Sequence, residues 1–195
     1  MASKYKEYSF PQGSFMKGWY IDPKVCDFLI TLFKENKDYV KKGHINSGDI
    51  RENIKDSEDL FVSLESTHPL LEEYNKNIAD FIKLYEKNYP ELANSDRYGL
   101  IEDFNVQHYK PQGGFKTWHY ERCHVAFAER VLVFMTYLND VPDGGTMFKY
   151  QDLIVPAKKG LTLIWPTDFT HTHKGQISQK CEKYIATGWL HFIKD

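Results

Sequence analysis

Cysteine is scarce in this 195-residue chain, and Cys26, Cys123 and Cys181 show no paired spacing. An odd number so scattered excludes a disulfide framework and a thiolate zinc site, and predicts reduced thiols in a cytoplasmic protein. Long hydrophobic runs are missing too. No stretch approaches the length of a membrane span, and the polar start MASKYKEYS predicts no secretory signal. Basic blocks are also missing. With 25 Lys and Arg against 27 Asp and Glu, the net charge is −2, which leaves no electrostatic footprint for nucleic acid or an acidic membrane surface. There is no internal repeat and no low-complexity segment. Aromatic residues are plentiful: 13 Tyr and 13 Phe, types that favour pleated strands. An apolar content of 42% and a charged content of 27% are ordinary for a globular protein. The length suits one domain, residues 1–195, with a real core.

The first half reads as helical and the second as β. Asp22 followed by Pro23 predicts a helix start, and behind it Val25, Phe28, Leu29, Leu32 and Phe33 share one face. Thr67 and Pro69 predict a second start, with Leu71, Tyr74, Ile78, Phe81, Ile82 and Tyr85 at helical period until Pro90. Each helix carries one apolar stripe, so each must pack against something. Gly43 to Glu58 is polar and reads as a loop able to fold over a site. From Tyr98 onward, short aromatic and β-branched runs alternate with turn signals. Val131 to Leu138, Leu161 to Trp165 and Tyr184 to Phe192 read as strands. Strands at such spacing predict an α+β, mainly β fold: a double-stranded β-helix, or jelly-roll, barrel with the N-terminal helices packed on one sheet. Residues 20–92 are expected to supply the supporting helices and loop, and residues 98–193 the core.

His119-Tyr120-Glu121 sets an imidazole and a carboxylate two residues apart. On a strand these positions share a face, so both can reach one ion. His171 and His173, about fifty residues later, share strand parity with each other, and either can supply a third donor. Two histidines and one carboxylate on one face of an octahedral ion leave three positions open, the arrangement of non-haem iron oxygenases. Alone the pair is weak, because 8 histidines and 27 acids make about one His-x-acid pair by chance.

Its surroundings carry more. QHYKPQGGFKTWHYE, RVLVFMTYLNDVPDGGTMF, VPAKKGLTLIWP and HKGQISQKCEKYIATGWLHF, in that order and spacing, resemble the prolyl 4-hydroxylase branch of the 2-oxoglutarate- and Fe(II)-dependent dioxygenases. The resemblance spans residues 104–192. It implies His119 and Glu121 as proximal iron ligands. It implies His173, rather than His171, as the distal one, because Lys183 then falls ten residues later, where the family places the basic partner of the co-substrate. Tyr109 and Tyr137 match tyrosines that hydrogen-bond 2-oxoglutarate, and Thr187 matches a small polar residue lining the pocket. Trp118, Tyr120 and Trp189 are expected to pack, Arg122 to be structural with a substrate contact as the alternative, and Gly144 and Gly145 to allow backbone conformations closed to other residues. The family's usual aspartate is here Glu121, one methylene longer.

The implied chemistry is hydroxylation of an unactivated C–H bond with Fe(II), 2-oxoglutarate and molecular oxygen, and it admits ascorbate as an auxiliary reductant. A prolyl residue in a peptide or protein is the first expectation for the substrate, with Gly43 to Glu58 and Asn139 to Gly145 helping to enclose it. A free amino acid or small-metabolite hydroxylase shares the same site residues, and a non-catalytic jelly-roll binding module is the alternative from another class.

Overall fold

The computed structural model describes residues 4–45 and 48–194. A nine-stranded antiparallel sheet runs in the order Glu7–Tyr8, Lys17–Tyr20, Leu161–Pro166, Arg130–Tyr137, Lys183–Phe192, Phe104–Tyr109, Glu58–Val62 and Lys41–Lys42, with Tyr98–Gly99 paired to the end of Lys183–Phe192. A smaller sheet of Leu153–Ala157, Val141–Phe148 and His173–Gly175 faces it, and Lys55–Asp56 pairs with Gly114–Phe115 beside the opening. The two facing sheets make a jelly roll, as the strand spacing predicts.

Period-two alternation sorts the large sheet into two faces. Leu132, Phe134, Val106, Tyr184, Ala186 and Leu190 point to one side and join the helix residues in one core. Val133, Met135, Tyr137, Tyr109, Leu163 and Ile185 point to the other, where Val141, Phe148 and Val155 of the small sheet meet them. The two helices cover the first face. α1 (Pro23–Glu35) is capped by Asp22, whose carboxylate accepts from the Lys24 N–H at 2.9 Å. α2 (Pro69–Asn88) is capped not by Thr67, as its type suggests, but by His68, whose Nδ1 accepts from the Leu70 N–H at 3.2 Å. Leu29, Ile78 and Phe81 are fully buried, each contributing about 1.5–3 kcal/mol. Tyr74 of α2 adds a polar tie through its hydroxyl, 3.0 Å from Thr136 Oγ1, which lies 2.8 Å from Thr162 Oγ1.

The first half is less purely helical than its sequence reads. Lys17–Tyr20 and Glu58–Val62 extend the large sheet on both sides. Each run is short and carries lysine, glycine or acidic residues, so only its cross-strand partners reveal it. The expected loop Gly43 to Glu58 likewise contains the strand Lys55–Asp56, while its Asn46 and Ser47 lie outside the described residues. The expected turn Asn139 to Gly145 gives up Val141 onward to a strand with a bulge between Val141 and Thr146.

Gly144 and Gly145 sit in that bulge for a reason other than the one expected. Neither has a positive φ. A Cβ on Gly144 would lie 2.4 Å from the Val141 side chain, and one on Gly145 would lie 2.3 Å from the Val155 carbonyl oxygen. Close approach is what demands glycine here. Because backbone rather than a flexible side chain blocks the space, Gly145→Ala should cost about 3 kcal/mol, seen as a lower urea midpoint at unchanged slope.

Candidate active site

Between the sheets lies a cavity lined from both, and its large-sheet residues come from one strand parity: Gln107, Tyr109, Tyr137, Lys183, Thr187 and Trp189 among them. His119, Glu121 and His173 meet there, each offering a donor atom, all within 4.8 Å of one another. Glu121 Oε1 lies 3.7 Å from His119 Nε2 and 3.5 Å from His173 Nε2.

The backbone arrangement differs from a continuous strand carrying His119 and Glu121 together. His119 is an isolated bridge residue facing His173, with reciprocal N–H to carbonyl bonds of 3.0 and 2.9 Å. Glu121 follows in a bend, where its own N–H and that of Arg122 donate to the Thr167 carbonyl at 3.2 and 3.1 Å. Arg122 clamps that bend through a fork onto Asp168, with Nη2 2.7 Å from Oδ1 and 2.9 Å from Oδ2. Its role is structural, as expected.

Each imidazole has its tautomer set from behind. His119 Nδ1 lies 3.1 Å from the Thr117 carbonyl and His173 Nδ1 lies 2.9 Å from the His171 carbonyl. A carbonyl only accepts, so each Nδ1 carries the proton and each Nε2 lone pair faces the cavity. Burial, reinforced by the neighbouring His173, pulls His119 well below its ordinary pKa, and burial lowers His173 as well. Both rings are therefore neutral at pH 7. Two imidazole nitrogens with free lone pairs and a carboxylate oxygen converge, a donor set that suits a divalent iron. The rings are held by packing: Phe115 stacks on His119 with centroids 3.5 Å apart, and Trp165 and Phe148 flank His173 at 5.2 and 5.5 Å.

His171 does not share a strand face with His173. It ends a 3-10 turn, buried, with Nε2 2.9 Å from the Ser14 carbonyl, and so ties down the N-terminal segment.

Lys183 is buried in the same cavity, its Nζ donating to the carbonyls of Gly144 at 2.9 Å and Gln176 at 3.3 Å. Burial pulls its pKa down to about 8, opposed by the charge of Asp143. An ammonium has three protons, so one is left for a ligand. Tyr109 and Tyr137 also line the cavity, but each hydroxyl proton is already committed, Tyr109 to Gln107 Oε1 at 2.5 Å and Tyr137 to Thr146 Oγ1 at 2.6 Å. Thr146 in turn has a hydroxyl proton able to serve a bound carboxylate. Thr187 donates to the Phe134 carbonyl at 3.0 Å.

The sequence reading missed or misjudged several residues here. Trp189, expected only to pack, donates its indole N–H to Glu121 Oε2 at 2.9 Å. Its parity with Lys183 and Thr187 was the available signal. Trp118, also expected to pack, is exposed, with Lys174 Nζ 4.7 Å from its ring centre. Lys55 enters the cavity from the first half, paired with buried Asp59 at 2.6 Å, and nothing local marks it.

Residues 104–191 match the family model of the 2OG-Fe(II) oxygenase superfamily. The chain carries a 2OG-Fe(II) oxygenase domain. The cofactor and co-substrate of that family are iron(II) and 2-oxoglutarate, and the converging imidazoles and carboxylate lie within the matched stretch. The fold of the oxygenase recurs in solved structures. A viral collagen prolyl hydroxylase from Paramecium Bursaria Chlorella virus-1, solved with 2OG, is similar at a TM-score of 0.71 and 20% identity, over 95% of this chain and 100% of that one. A prolyl-4-hydroxylase from Pseudomonas putida gives 0.68 at 15% identity, over 92% and 93% of the two chains. A prolyl hydroxylase from Trichoplax adhaerens, in complex with a peptide fragment of the hypoxia inducible factor oxygen degradation domain, gives 0.67 at 12% identity, over 87% and 77%. No curated protein matches the sequence. Among the described residues no helix is long and apolar enough to cross a membrane.

Proposed function

We propose that this oxygenase hydroxylates a prolyl residue in a peptide or protein, holding iron(II) on His119, Glu121 and His173 and 2-oxoglutarate between that site and Lys183. The observation that carries the reading is the convergence of His119 Nε2, His173 Nε2 and Glu121 Oε1 in one cavity with a buried lysine. Charge supports it. Lys55 and Asp59 neutralise each other, while iron(II), Glu121 and Lys183 leave a net cationic cavity that a dicarboxylate balances. A peptide substrate draws support from the structural relatives, two prolyl hydroxylases and a prolyl-4-hydroxylase, one holding a peptide. The scarcity and scattered spacing of the cysteines support a cytoplasmic setting.

When bound, iron(II) and 2-oxoglutarate would activate molecular oxygen, 2-oxoglutarate giving up two electrons and carbon dioxide, so that one oxygen atom goes to the C–H bond and the other to succinate. The protein supplies orientation and exclusion of water. Lys183 holds the far carboxylate with its remaining proton, and the Tyr137–Thr146 pair offers a second donor to it. Phe115, Phe148 and Trp165 keep the imidazoles from turning.

Incubation with proline-containing peptides, iron(II), 2-oxoglutarate and oxygen should add one oxygen atom to a prolyl residue, located by tandem mass spectrometry, with succinate formed in equal amount. Turnover of free proline with no peptide modified would replace this substrate class by a small metabolite.

A further inference from the structure

Glutamate as the carboxylate ligand is harder to position than aspartate. The extra methylene adds a rotatable bond, and a freely turning Glu121 can offer both oxygens to a metal. Bidentate ligation would occupy a position that the co-substrate or oxygen needs. The structure separates the two oxygens. Oε1 faces His119 and His173. Oε2 faces the other way, accepting from Trp189 Nε1 at 2.9 Å, with Arg130 Nη1 at 3.8 Å.

Arg130 is itself held firmly. Its side chain is 7% exposed, and its guanidinium lies 3.8 Å from the Trp189 ring centre and 4.2 Å from that of Phe127. Glu102, 3.7 Å from Nη2, partly balances it and is in turn held by His191 at 2.9 Å. Arg130 Nε and Nη1 are buried with no hydrogen-bond partner among the described residues. A buried N–H without an acceptor is costly, and Oε2 of Glu121 is an acceptor within reach of a small shift.

We infer that Trp189 and Arg130 are positioning residues that hold Oε2 of Glu121 off the metal, so that the longer arm ligates through Oε1 alone. The inference rests on the proposal that Glu121 is a metal ligand. Its content is separate: the clamp protects open coordination positions rather than creating the metal site.

The test is anaerobic titration of the metal-free protein with Co(II), followed by 2-oxoglutarate, in the wild type, Trp189→Phe and Arg130→Met. Phenylalanine keeps the ring and removes the N–H, and methionine keeps the stem and removes the guanidinium. Both variants should still bind Co(II), with altered visible absorption, because a second carboxylate oxygen changes the coordination number. Affinity of the Co(II)-loaded protein for 2-oxoglutarate should fall about tenfold. The double variant should be less than additive, because both residues act on one oxygen. Wild-type absorption and wild-type 2-oxoglutarate affinity in both variants would overturn the clamp. So would weakened 2-oxoglutarate binding with unchanged Co(II) absorption, which would assign the residues to the co-substrate or to packing. Failure of one variant to fold leaves the other to decide. A wild type that binds no Co(II) would instead overturn the ligand set, and the clamp with it.

Discussion

Replacing Lys183 by methionine is expected to weaken 2-oxoglutarate binding to the metal-loaded protein about 100-fold, the loss of a charge-assisted bond worth about 3 kcal/mol. Methionine keeps the buried stem, so the cavity wall stays packed. Isothermal titration without oxygen reads the affinity directly. An unchanged affinity would remove Lys183 from the co-substrate site. The wild type should also carry a pH signature. The lysine binds as an ammonium, and burial holds its pKa at about 8 against 10.5 for a solvated lysine. Affinity should be flat below pH 8 and fall about tenfold per unit above it, until the metal-bound part of the ligand sets the floor. Stability of the ligand-free protein should move the other way. Between about 8 and 10.5 the unfolded chain binds a proton that the folded chain has shed, so stability rises with pH through that window. Below it, the folded protein carries a buried charge at a cost. Lys183→Met should lose both trends. Opposite slopes for affinity and stability, vanishing together in one variant, separate this lysine from any surface group.

The second large effect concerns the two neighbouring histidines. His173→Ala should lower metal affinity more than 100-fold, since removing a ligand costs at least as much as disturbing its support. The wild type should gain about 2.7 kcal/mol of stability when metal is present at 100 times its dissociation constant, and the variant should gain almost none. His171→Ala should do the reverse. It loses the bond to the Ser14 carbonyl and leaves that buried carbonyl without its partner, which costs about 1–3 kcal/mol. Its metal-dependent gain should nevertheless remain. Thermal unfolding with and without metal reads both variants in one experiment. A metal response lost in His171→Ala and retained in His173→Ala would exchange their roles.

Much of this was legible before the chain was folded. The helix stripes from Val25 to Phe33 and from Leu71 to Tyr85 report a single apolar face, and such a face can only be buried against a layer. Alternation along Arg130–Tyr137 and Lys183–Phe192 sends Val133, Met135 and Tyr137, and Lys183, Ile185, Thr187 and Trp189, to the cavity, because the pleat turns alternate side chains to one face. The residue types proposed to hold iron and 2-oxoglutarate were readable as a pattern: two imidazoles, a carboxylate and a basic residue at set distances along the chain. These are local facts, written in chemical type and period.

Tertiary structure decided what depends on partners distant in sequence. Lys17–Tyr20 and Glu58–Val62 become strands only because edges of the sheet stand open to them. Lys55 becomes a cavity residue because Asp59, held by a bond from the Ser57 hydroxyl, neutralises its charge in a buried position. Gly145 is required by a carbonyl on the next strand rather than by its own dihedral angles. Glu121 reaches the histidines from a bend held by Thr167 and Asp168, 46 residues further on, where a continuous strand had been expected. The orientation of its two oxygens is set by Trp189 and Arg130, and no spacing within the His-x-Glu motif contains that information. The sequence by itself determined which groups are available and which face of each element they occupy. The fold decided which groups meet, because a hydrogen bond or an ion pair needs both partners within about 3 Å, and only long-range strand pairing brings them there.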